Sequence, residues 1–366
     1  MSSGTSLTGE DLLDDVDALA SADPGGMLRE VAGAPAQFRE AAFTAAEVDL
    51  SVVVDEVRPR AIVVAGMGGS GIAGDVMAAV AGPTCPVPIT THRGYGLPGW
   101  VGAADLVVAV SCSGATEETL AAADEARRRG ARLVTVGGVG SPLAERAEQA
   151  RSPHLPVPAG RMPRANIWAL SVPLLVLGDR LGLLRAPASV LDDAADLLDV
   201  LTERCRPSKE SFLNPAKSLA LALCDRLPVA WASSPLAGVA AYRCSGQLAE
   251  NAKRASVWGV LPEANHNQVV ALDGTDPGES LHLLLLRDHP EHEHPQVAKR
   301  AAASRELAEE RGIAVTEVVA EGTSPVARLA SLFALVDFMS VYLALAQGAD
   351  PSLMDSITAL KARIRE

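Results

Sequence analysis

The 366-residue chain carries 32 Lys and Arg against 45 Asp and Glu, a formal net charge of −13, and is 48% hydrophobic. That length corresponds to about two domains, and that composition excludes a disordered chain. An acidic chain with no basic block excludes general binding to nucleic acid or to an anionic membrane, and 3% aromatic residues leave no platform for base stacking. An anionic small molecule stays admissible, because a pocket can gather donors locally.

Residues 10–57 read as mostly helical with a break near Pro24, and Leu12, Leu13, Val16 and Leu19 share one face. Arg60–Gly66 (RAIVVAG) is a short apolar run ending in glycine, which predicts a buried parallel strand feeding a helix over Ile72–Ala81. Val87–His92, Asp105–Ser111 and Arg132–Gly138 predict further strands, the second of these followed by a loop and a helix through Arg129. Ser152–Pro163 is Pro-rich and reads as loop, and helices follow from about 165 to 206. Strands at Arg226–Ser234, Leu281–Asp288 and Ala314–Glu321 restart the alternation, and helices at 324–347 and 351–365 close the chain. The pattern predicts two doubly wound parallel-sheet α/β domains with helical connections: 1–160, a helical connection over 161–215, 216–347, and a C-terminal helix over 348–366.

Leu329–Gln347 is apolar enough to raise a membrane span, but Asp337 near its centre and the lack of a flanking basic cluster predict a core helix. The five cysteines, Cys85, Cys112, Cys205, Cys224 and Cys244, form no C-x-x-C motif. Their odd number, with a polar acidic N-terminus rather than a secretory signal, predicts a cytoplasmic protein.

Two loops carry the chemistry. Gly66-Met67-Gly68-Gly69-Ser70-Gly71 follows a strand and opens a helix, where backbone N–H groups can hold a phosphate. It also fits G-x-G-x-x-G, but the next strand ends Thr90-Thr91-His92-Arg93 without the acid that would take the ribose hydroxyls of NAD. Ser111-Cys112-Ser113-Gly114-Ala115-Thr116 lies between a further strand and helix, and its hydroxyls can ring a phosphate monoester without Lys or Arg. Ser113 or Thr116 can equally cap the helix, with Glu117 and Glu118 at the positive end of its dipole. Glu250 and His266 offer a base and an acid on separate elements, although spacing alone leaves them as readily a solvated helix residue and a turn residue. His289, His292 and His294 could bind zinc or nickel, but an exposed loop is the simpler reading.

AGMGGSGIAGD, SCSGATEETL, GRMPRA, QLAENAK, LPEANHN and ADPSLMDSITALK occur in this order, within a resemblance that runs from Asp23-Pro24 to Lys361. Together they resemble the bifunctional phosphoglucose/phosphomannose isomerases of the sugar-isomerase (SIS) domain superfamily. The resemblance implies two flavodoxin-like SIS domains and the interconversion of glucose 6-phosphate or mannose 6-phosphate with fructose 6-phosphate, with no cofactor and no metal. By motif match, Gly68, Gly69, Ser70, Ser111, Ser113 and Thr116 would hold the phosphate. Arg164 would stand near C1 and C2, and Glu250 would move the proton between them. His266 would help open the ring, contributed across the interface of a homodimer, and Lys361 would reach the same region. Cys112 and Ala115 stand where the family usually writes Tyr and Asn, and Ala249 where it writes Asn. These departures leave every proposed catalytic group in place and motivate the rival reading, a non-catalytic SIS protein that binds a sugar phosphate.

Overall fold

In a computed structural model, which describes residues 9–274 and 276–365, the chain forms two compact units. One comprises Gly33–Leu198 with Gly322–Ala330. The other comprises the residues up to Ala32, Asp199–Glu321, and the chain from Ser331 onward. The helices before Ala32 therefore group with the second sheet, and Ile167–Arg180 groups with the first, a division that the uniform helical text around both segments does not signal.

The first unit holds strands β1 (Ile62–Ala65), β2 (Ile89–His92), β3 (Leu106–Ser111), β4 (Arg132–Gly138) and β5 (His154–Val157) in the order β2-β1-β3-β4-β5, all neighbours parallel. This is the flavodoxin-like order. β1 and β3 are buried along their whole length, as parallel strands covered on both faces must be, which is why they read as Val, Ile, Leu and Ala up to the Ser111 that ends β3. β5 lies inside the stretch expected to be loop. It is a four-residue edge strand containing Pro156, and proline is tolerated at a sheet edge, so its text carries little strand signal.

The second unit holds β6 (Leu227–Ala232), β7 (Val257–Val260), β8 (Leu281–Arg287) and β9 (Ala314–Val319) in the order β7-β6-β8-β9, again parallel. It repeats the first four positions of the other sheet's order. β7 falls outside the expected strands, being short, at the edge and largely exposed.

The apolar helix is Pro325–Ala346, and it is long and apolar enough to cross a membrane by length and composition alone. Its most apolar window is 89% buried within the protein, and Asp337 is paired inside the core with Arg243. It is a core helix here.

Candidate active site

In a 2-1-3-4-5 sheet the connections from the inner strands leave on opposite faces, and a crevice opens beyond the carboxyl ends of β1 and β3. Both phosphate-loop candidates sit there. The helix after β1 runs Gly69–Ala81, beginning three residues before the expected Ile72, so Gly69 and Ser70 form its first turn. Its leading N–H groups face outward from the helix start, where an anion is favoured by dipole and donors together. A Cβ on Gly66 would lie 2.9 Å from the Ser70 backbone and 3.0 Å from the Val110 carbonyl oxygen, so only glycine lets the two loops close on each other there.

The structure brings the four hydroxyls together. The Cys112 N–H donates to Ser70 Oγ at 3.3 Å, tying the first loop to the second. Ser111 Oγ lies 2.8 Å from Thr116 Oγ1 and 3.5 Å from Ser113 Oγ. Ser70 and Ser111 are buried while Ser113 is exposed, so the ring has a floor and an open lip. Thr116 is the N-cap residue of the helix Glu117–Arg128, but its side chain makes no capping bond, and Ser113 Oγ instead accepts from the Ala115 N–H at 3.2 Å. Gly114 has φ +65°, and a Cβ on it would fall 2.0 Å from Ser141 Oγ, so the loop conformation requires glycine.

Arg164, in the short turn Pro163–Ala165, is buried in the same unit. The turn lies against both loops. The Pro163 carbonyl oxygen is 3.8 Å from where a Cβ on Gly69 would stand, and Asn166 Nδ2 donates to Cys112 Sγ at 3.3 Å. Asn166, which sequence reasoning missed, thus binds the arginine's turn to the second candidate loop through Cys112. Burial pushes the Cys112 thiol up, and the Asn166 amide offsets this only in part. Cys112 is accordingly a neutral packing group of the loop at pH 7.

Glu250, His266 and Lys361 belong to the other unit. Glu250 is the last residue of the helix Pro235–Glu250 and is half-buried. The residues around it are anchored. Arg243 donates to both carboxylate oxygens of Asp337 at 2.7 Å, Gln247 Nε2 to Asp337 Oδ1 at 3.0 Å, and Asn251 Nδ2 to Ser340 Oγ at 2.9 Å. Burial pushes the Asp337 carboxyl up, against the pull of Arg243. Lys253 takes a left-handed φ of 57° just past the helix, and its ammonium donates to the carbonyls of Glu250 and Asn251 at 2.7 and 3.2 Å. Helix ends leave such carbonyls unpaired, so Lys253 closes the helix beneath Glu250.

His266 ends the short turn Glu263–Asn265 with its side chain exposed. Asn265 anchors that turn by donating to Ser304 Oγ at 2.8 Å. Lys361 is exposed on the helix Asp355–Arg365 and shares a face with the exposed Ile357, Leu360 and Ile364. In the histidine-rich loop, His289 Nδ1 accepts from the Glu291 N–H, and His294 Nδ1 caps a helix by accepting from the Gln296 N–H. Among the described residues no group of three or more His, Cys, Asp or Glu side chains could hold a metal ion.

Residues 57–156 match the SIS domain family, and residues 212–364 match the bacterial phospho-glucose isomerase C-terminal SIS domain family. A bifunctional phosphoglucose/phosphomannose isomerase from Caldicellulosiruptor bescii is 31% identical over 93% of this chain and 99% of its own length. The chain belongs to the bifunctional phosphoglucose/phosphomannose isomerase family. A member from Aquifex aeolicus is 31% identical over 84% of this chain and 91% of its own length. A D-glucosamine-6-phosphate 4-epimerase from Sulfolobus acidocaldarius is 30% identical over 56% of this chain and 61% of its own length. Among solved structures, a hypothetical protein of Thermus thermophilus superposes with a TM-score of 0.70 at 20% identity, over 97% of this chain and 94% of that one. A glucose-6-phosphate isomerase from Chlamydia trachomatis gives 0.65 at 15% identity, over 89% and 72%. At these identities the two structures speak to the fold alone.

Proposed function

We propose that this protein is an aldose–ketose isomerase that interconverts glucose 6-phosphate and mannose 6-phosphate with fructose 6-phosphate through a cis-enediol. The observation that carries the reading is the hydroxyl ring of Ser70, Ser111, Ser113 and Thr116 at the switch point of the first sheet, in a chain of this family. Neutral donors at a helix start suit a phosphate monoester, and fixing that end of the sugar aligns its reacting carbons. In this reading Gly68 and Gly69 lend backbone N–H groups to the phosphate.

Glu250 is the base. One carboxylate takes the proton from C2 of the aldose and returns it to C1, or the reverse. Arg164, fixed in its turn, stabilises the oxyanion that develops as the enediol forms. His266 exchanges a proton with the ring oxygen or O1 during ring opening, and Lys361 supports that step. The protein works as a homodimer in which the partner subunit contributes its own copy of this histidine. The exposure of His266 and the exposed apolar stripe of Ile357, Leu360 and Ile364 support self-association. We place the protein in the cytoplasm.

The test is a coupled assay of EDTA-treated protein offered glucose 6-phosphate, mannose 6-phosphate and glucosamine 6-phosphate in turn. Formation of fructose 6-phosphate from the first two is expected. Binding without turnover would favour the non-catalytic reading, and C4 epimerisation of the amino sugar would move the protein to its epimerase relative's reaction.

A further inference from the structure

We propose that Gln37 is a positioning residue for Arg164; the proposal rests on the role given to Arg164 above. Gln37 lies on the helix Ala34–Ala46, outside every motif, and is 1% exposed. A buried amide is stable only when its donors and acceptor are paired. Gln37 Nε2 donates to the Ala165 carbonyl at 3.0 Å, and its Oε1 accepts from the Trp168 and Ala169 N–H groups at 2.8 and 3.1 Å. One side chain therefore grips the residue after Arg164 and the second and third residues of the helix that follows.

That helix, Ile167–Arg180, starts from Asn166, whose side chain makes no capping bond. Gln37 supplies the missing acceptor from outside. Asn166 is thereby free to turn its amide to Cys112 in the phosphate loop. Packing between the two helices is already provided by Phe38 against Trp168, with ring centroids 5.0 Å apart. What the Gln37 amide adds is direction: it fixes the turn carrying Arg164 on one side while Cys112 holds it on the other. A guanidinium that stabilises a developing oxyanion must be aimed before the charge appears.

Gln37→Met removes all three bonds at nearly constant volume and carries the test, with folding checked by circular dichroism; Gln37→Glu is the conservative control, because a carboxyl this buried takes a proton and can donate to the Ala165 carbonyl again. We expect Gln37→Glu to keep kcat within about threefold of wild type and Gln37→Met to lower it about tenfold or more, with KM for fructose 6-phosphate and inhibition by inorganic phosphate within about twofold of wild type. In an Arg164→Lys background Gln37→Met should cost less than about twofold, because a residue acting through Arg164 has little left to act on. Equal losses in both backgrounds, or wild-type kcat in Gln37→Met, would overturn the positioning role. Wild-type turnover in Arg164→Lys alone would instead remove the role of Arg164 on which the proposal stands.

Discussion

Replacing Asp337 with alanine tests whether the helix that ends at Glu250 is held from beneath. The carboxylate accepts three hydrogen bonds at 2.7, 2.7 and 3.0 Å, two of them from Arg243, whose side chain is 2% exposed and lies over the Phe333 ring at 5.1 Å. Truncation leaves a guanidinium buried without its counter-charge, which costs about 3–5 kcal/mol. That is a large share of the roughly 5–15 kcal/mol that holds a domain folded. Replacing the pair together, Arg243→Met with Asp337→Leu, removes both charges and should cost far less, or even stabilise. The assay is urea unfolding at pH 7, followed by fluorescence and circular dichroism, with turnover measured in the folded baseline. Asp337→Ala should lower the midpoint sharply, while the double variant restores much of it but not the full turnover, since Gln247, one turn before Glu250, loses its bond to Asp337. A loss below about 1 kcal/mol in Asp337→Ala would show that the pair does not secure this helix.

Gly114→Ala should abolish saturable inhibition by inorganic phosphate while leaving circular dichroism unchanged, since the added methyl strikes Ser141 Oγ and φ is +65°; normal inhibition would separate this loop from the phosphate. Asp105 links β3 to Arg60, Nε to Oδ1 at 2.9 Å and Nη2 to Oδ2 at 2.6 Å. Although burial pushes its carboxyl up, Arg60 and the Gly102 N–H hold it below its ordinary 3.8. A carboxyl depressed in the folded state adds stability at pH values above its ordinary one, and that stability is lost as pH falls through the folded value. Asp105→Asn should therefore flatten the acid side of the thermal-midpoint profile below about pH 4, and an unchanged slope would contradict it. Cys112 should react with iodoacetamide at pH 7.5 at least about tenfold more slowly than glutathione, as a thiol kept neutral by burial must; peptide mapping reads the rate, and fast labelling would contradict the assignment.

The inner strands β1, β3, β6 and β8 were legible because burial on both faces forces mostly apolar text, and the two candidate phosphate loops because glycine and hydroxyl residues follow such strands directly. β5 and β7 were not, since four-residue edge strands hold Pro156 and Gly259 and need no apolar run. Asp337 announced itself as a charge in an apolar helix, yet its partner Arg243, 94 positions away, has no local mark. The same holds for Gln37, 131 positions from Trp168, and for Asn166, 54 from Cys112. The candidate site residues lie in motifs; the partners that hold their surroundings are chosen by tertiary contact, which a single sequence does not display.

The central claim is that Glu250 moves a proton between the two carbons of a bound sugar phosphate. The direct measurement is incubation of wild type and Glu250→Gln with fructose 6-phosphate in deuterated water, following both aldose formation and deuterium at C1 and C2 by NMR. Wild type should form aldose and carry solvent deuterium at the exchanging carbon. Glu250→Gln should lose both by about 10²–10⁴-fold while still binding the sugar phosphate. Undiminished turnover and exchange in the variant would contradict the account.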